Sequence, residues 1–133
     1  MREAAHRAAL RFKDFGATVE ERDPDWPDVF DAHKTIYEVG VASRREEQAR
    51  ERPEWIEATM MQMIENARSV SGIELARAAL ARTQYYNAVL EWFEGIDLLL
   101  TPQMPVGAWS AEPGPEEGPR EIDGQPTPTV FHR

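Results

Sequence analysis

Cysteine is absent from the 133 residues, lysine occurs only as Lys13 and Lys34, and no apolar run approaches the length of a membrane span. Each absence removes a class of function. Without cysteine there is neither a disulfide framework nor a thiolate metal site, which fits a cytoplasmic protein. The charged stretch from residue 1 to 16 lacks the apolar centre of a secretory signal. No glycines cluster ahead of a helix, so a phosphate-cradling loop is not expected. The net charge of -9 argues against nucleic acid, whose phosphates demand clustered Lys and Arg. The basic pair Arg44-Arg45 is followed at once by Glu46-Glu47 and cancels locally.

Catalytic groupings are equally scarce. His6, His33 and His132 lie far apart, and none has a His or Asp at metal-ligand spacing on its own helix turn. His33 falls among apolar neighbours and reads as a hydrogen-bonded core residue. The pairs Glu20-Glu21, Glu46-Glu47 and Glu116-Glu117 sit in polar contexts and read as solvated surface. Ser43, Ser69, Ser71 and Ser110 lack a glycine-rich elbow or an adjacent lysine that would activate a hydroxyl. The cluster Met60, Met61 and Met63 reads as core filling more readily than as an adaptable groove. No catalytic residue, metal or cofactor is assigned on this basis.

What is present is helical pattern. Residues 2–15 form one expected helix, with Ala5, Ala8, Ala9, Phe12 and Phe15 to one side and Gly16 as its stop. A short strand is expected over 17–21, then a turn over 23–27. Pro27 suits the first position of a second helix running to about Val41, with Val29, His33, Ile36, Tyr37 and Gly40 facing inward. The charge-dense stretch 43–52 either continues that helix or forms a loop. Pro53 opens a third helix with Ile56, Met60, Met63, Ile64 and Ala67 at helical spacing. Ser71 and Glu74 have the spacing of a capping box for a fourth helix, Gly72 to about Glu94. That helix has two apolar stripes, Ile73, Ala76, Leu80, Thr83, Leu90 and Leu75, Ala79, Tyr86, Val89, Phe93, a pattern that predicts burial on more than one side.

After Gly95 comes Ile96-Asp97-Leu98-Leu99-Leu100-Thr101-Pro102. Three consecutive leucines predict a strand apolar on both faces, and such strands belong in sheets covered on both sides. The only other expected strand is 17–21, so this segment calls for more sheet than these residues supply. Beyond it, 105–133 is rich in Pro, Gly and acids, with seven of the ten prolines falling between Pro102 and Pro128. It reads as an irregular surface segment.

The run Ser71-Gly72-Ile73-Glu74-Leu75, Ala78, Arg82, Phe93, Ile96-Asp97-Leu98-Leu99-Leu100-Thr101-Pro102 and Met104-Pro105-Val106 resembles the C-terminal third of amidase signature enzymes. Phe15-Gly16-Ala17-Thr18-Val19-Glu20 resembles that family's helix, turn and strand, and Ile122-Asp123-Gly124 its late Ile-x-Gly element. Two positions depart from the pattern: Ile96 replaces an aromatic, and Gln103 stands where threonine is common. The resemblance implies a portion of an α/β amidase fold and hydrolysis of carboxylic amides in the complete enzyme. The family's nucleophilic serine, second serine and lysine lie in a Gly/Ser-rich signature and its upstream lysine, and neither is matched here. None of the three roles therefore transfers to a position in this chain, nor is the family's Asn-x-Thr-Gly segment present. The resemblance does imply that Thr101, Pro102, Met104 and Trp109 help shape a substrate pocket in a complete enzyme. The plainer reading of Thr101 and Pro102 is that they end a strand.

The combined expectation is an α+β, mostly helical chain of about four helices and two short strands, divided into 1–104 and a tail 105–133. By this reading it is inactive alone and binds a small amide only within the complete enzyme. A homo-oligomer or the missing amidase portion would supply its partner, and neither nucleic acid nor a membrane is expected. The alternative is a non-catalytic helical interaction or oligomerisation module.

Overall fold

The computed structural model describes residues 2–104, 106–108 and 121–126. They fall into two compact units, 24–95 and the residues to either side of it.

The flanking unit holds helix α1 (Arg2–Leu10), which tightens into a 3-10 helix over Arg11–Phe15. Gly16 stops it at φ 86°, a left-handed conformation that costs glycine nothing, and donates its N–H to the Lys13 carbonyl at 3.0 Å. None of its helical residues is buried, and Phe15 is 84% exposed. The unit also holds a hairpin of β1 (Glu121–Ile122) and β2 (Gln125–Pro126), antiparallel with Ile122 opposite Gln125. Asp123 and Gly124 turn it with φ of 53° and 76°. Two positive φ values match the right-handed twist of paired strands, and Asp-Gly supplies them cheaply. Arg2 pairs with the Asp123 carboxylate and ties α1 to this turn.

The helical unit contains α2 (Phe30–Glu51), α3 (Ala58–Arg68) and α4 (Gly72–Trp92). Helix α2 packs against both α3 and α4. Its start lies three residues beyond Pro27, because the Asp28 carboxylate accepts from the Phe30 N–H at 2.8 Å and sets the first turn there. Helix α2 then continues without a break through the charge-dense stretch. A 3-10 turn, Pro53–Trp55, separates it from α3.

The core lies between α2 and α3. Val41, Ala49 and Ile64 are buried, and Ala42, Ile56, Met60, Met61 and Met63 pack around them. Ile64 is wholly enclosed. The α3 face is the one its spacing predicts. The α2 face is rotated from expectation: Glu38, Val41 and Ala49 are its buried residues, whereas His33 and Tyr37 are exposed. His33 is thus a surface residue, stacked on Tyr37 with ring centroids 5.9 Å apart, and not a core histidine. A separate aromatic group packs the inner side of α4. Trp26 meets Tyr85 and Trp92 edge-on, at 5.7 and 5.3 Å, and its buried Nε1 has no hydrogen-bond partner.

The mostly helical α+β architecture is as expected, with four α-helices and two short strands among the described residues. The strands occupy different positions. Residues 17–21 and 96–102 have no strand structure, and the hairpin instead falls inside the span 105–133 that reads as irregular. A strand exists only where another backbone accepts and donates its hydrogen bonds. No second strand flanks Leu98–Leu100 among the described residues, so the leucine run stays irregular.

Candidate functional site

Helix α4 positions the most distinctive surface. Ser71 Oγ accepts from the Glu74 N–H at 3.2 Å, and the Glu74 carboxylate accepts from the Ser71 N–H at 2.7 Å. This reciprocal cap satisfies two N–H groups that a helix start otherwise leaves open. The Ser71 hydrogen bonds, from its side chain first and its backbone second, hold the Glu74 carboxyl below the usual glutamate range. Downstream, Gly95 turns the chain out of the helix at φ 77°.

Between these ends α4 presents two faces. Leu75, Ala78, Tyr85, Val89 and Trp92 turn inward, with Ala78 buried and the others half-buried. Ile73, Ala76, Leu80, Thr83 and Leu90 turn outward and are exposed, Ile73 at 67% and Leu80 at 66%. The sequence names both stripes and predicts that both are covered; the structure covers one. Tyr86, expected on the inner stripe, is exposed, and Tyr85 takes the inner position. Immediately after α4, Leu98 is 68% exposed and Leu100 47%. Runs of large exposed apolar side chains are uncommon on isolated domains and mark surfaces that meet something.

The residues proposed for a substrate pocket lie beyond this run. Thr101 and Pro102 are exposed and Met104 is half-buried, whereas Trp109 falls outside the described residues. Two open clefts of the described residues are elsewhere. One, about 380 Å³, lies in the helical unit between Glu46, Glu47, Arg50 and Arg68. The other, about 370 Å³, lies in the flanking unit among Arg2, Glu3, His6, Arg7 and Glu21. Arg68 is committed within the first: its Nε donates to Glu46 at 3.1 Å and its Nη1 to Glu65 at 2.6 Å. The Glu46 and Glu65 hydrogen bonds raise the affinity of its guanidinium for the proton above the ordinary arginine level.

Two serine hydroxyls bond to carbonyls of their own helices. Ser43 Oγ donates to the Gly40 carbonyl at 3.0 Å and Ser69 Oγ to the Asn66 carbonyl at 2.7 Å. His6 lies 3.8 Å from the Glu21 carboxylate at the surface. Arg82, part of the run that carries the family resemblance, is exposed and makes no ion pair among the described residues. No helix among the described residues is long and apolar enough to cross a membrane. Comparison with protein-family models, with curated proteins and with solved structures finds no match to the chain.

The burial of Glu38 is a feature that sequence reasoning missed. No apolar spacing announces it, because its partner, Asn66, is brought in by packing of α3 on α2. The Asp-Gly turn of the hairpin carried a local signal; the residues before and after it are too few to read as strands.

Proposed function

We propose that these residues are a C-terminal, non-catalytic portion of an amidase signature hydrolase, whose complete form cleaves carboxylic amides and whose catalytic serines and lysine lie outside them. The observation that carries this reading is the exposure of Leu98, Leu99 and Leu100 shortly after α4, with no strand beside them among the described residues. A leucine run of that kind is stable only with sheet on its edges and cover on its faces. It is the segment whose sequence, with Thr101-Pro102, most resembles a strand of the family's large sheet. In that setting Thr101, Pro102, Met104 and Trp109 help shape the substrate pocket, and a cysteine-free composition suits a cytoplasmic enzyme.

The test has two arms. An antibody raised against this chain should capture from native extract an amidase activity together with peptides of a Gly/Ser-rich signature. The purified 133-residue chain should show no amide hydrolysis. Capture of the 133-residue chain without such peptides defeats the proposal, as does turnover by the purified chain that disappears when one of its own serines is replaced.

A second reading, a helical module that associates with other protein, is favoured by the outer face of α4. Its apolar residues are exposed on a helix of the other compact unit and are not needed to explain the leucine run.

A further inference from the structure

We infer that the outer face of α4 is a self-complementary dimerisation surface, on which two copies of the chain pair as antiparallel helices. This deepens the second reading above, on which it rests, by naming the partner.

The outward residues Ile73, Ala76, Leu80, Thr83, Asn87 and Leu90 alternate in steps of three and four, the repeat that lets two helices wrap with a continuous seam. Along one flank of that seam lie Arg77 and Glu91, both exposed. The salt bridges of the helical unit among the described residues are formed by Arg50, Arg52 and Arg68, and neither flank residue is in one, although the charge of Arg77 also favours the Glu74 carboxylate. Arg77 and Glu91 stand two heptads apart, about 21 Å along the helix at 1.5 Å per residue.

Charge placement selects the orientation. In a parallel pair, flank positions of one helix meet the opposite flank of the other, where Gly72, Ala79 and Tyr86 stand; no opposite charges meet. In an antiparallel pair like flanks meet. Setting Arg77 against Glu91 of the second copy automatically sets Glu91 against the second Arg77, as two-fold symmetry requires. The same register brings Leu80 against Leu90 twice, Thr83 against Asn87 twice, and Tyr86 against its own symmetry mate. One alignment therefore uses the charged flank, both exposed leucines and the exposed tyrosine together.

The experiment is the mass of the intact chain by light scattering after size-exclusion chromatography, in low salt, with helicity followed by circular dichroism. The wild-type chain should give twice the mass of one chain. Leu80→Glu should halve it without loss of helix, since Leu80 is mostly exposed in its own fold. Arg77→Glu alone should shift the mass toward one chain, and Arg77→Glu combined with Glu91→Arg should restore the dimer. Tyr86→Cys, the single thiol in an otherwise cysteine-free chain, should give a disulfide-linked dimer on oxidation. A wild-type monomer overturns the inference, as does a dimer indifferent to Leu80→Glu or a double charge reversal that fails to recover. Binding of an apolar dye separates the two levels. A monomer whose dye binding is reduced by Leu80→Glu defeats self-pairing but leaves an interaction surface. A monomer whose dye binding ignores Leu80→Glu defeats both.

Discussion

Asn66 Nδ2 donates to Glu38 Oε1 at 2.8 Å, joining α3 to a carboxylate on α2 that is only 4% exposed. Gln62 Nε2 in turn donates to Asn66 Oδ1 at 3.0 Å, so a side-chain relay runs from the surface of α3 to the buried glutamate. A buried carboxylate with one donor depends heavily on that donor.

Asn66→Ala should therefore lower stability by about 1.5–3 kcal/mol, the range for a hydrogen bond to a charged group. Asn66→Asp should cost at least as much, because it places a second carboxylate against the first. Urea midpoints followed by circular dichroism check both. An Asn66→Ala chain as stable as wild type would remove the relay from the account of the fold.

Ile64 is the only wholly enclosed large side chain among the described residues. Ile64→Ala removes the centre of a small core and should cost about 2–5 kcal/mol. In a helical unit with few buried residues, that loss is comparable to a small domain's total stability. Ile64→Val should retain most of the fold, and the two midpoints together test whether the α2–α3 seam is the core.

The Ser71–Glu74 cap gives a pH dependence of definite sign. The Glu74 carboxyl is held below its ordinary range in the folded chain, so its contribution to stability is complete above the ordinary glutamate range. That contribution is lost as pH falls through the lower, folded value. Ser71→Ala should cost about 1 kcal/mol at neutral pH through loss of the cap. Glu74→Gln should flatten the acid limb of the stability curve, read as urea midpoints across the acidic range.

Leu98→Glu and Leu100→Glu replace exposed side chains and should change the unfolding midpoint by no more than about 0.5 kcal/mol. They should markedly reduce apolar-dye binding and precipitation at high protein concentration. A strongly destabilised Leu98→Glu chain would show that the leucine run is packed in solution.

Local chemistry was the legible part of this fold. Ser71 and Glu74 predict their own cap, Gly16 and Gly95 their own left-handed breaks, and the spacing around Ile64 its own buried face, because each depends on neighbours in sequence. The face of α2 was not legible. Its apolar residues are spread around the helix, so the packing of α3 and α4 decided that Glu38 turns inward and His33 outward. Leu98–Leu100 has the composition of a strand, but composition cannot provide the neighbouring backbone that makes one. For the candidate surface, sequence located both stripes of α4 and could not tell which would find cover within the chain.

The two faces of α4 also constrain how the gene can change length. Leu75, Ala78, Tyr85, Val89 and Trp92 hold one side, and Ile73, Leu80 and Leu90 the other, on a single uninterrupted backbone. Inserting one residue midway would rotate everything beyond it by about 100° and scramble both sides at once. Insertions or deletions of seven residues nearly preserve the phase of both. Tolerance of such changes in α4 should therefore recur with a seven-residue beat, a pattern that neither face alone would require so strictly.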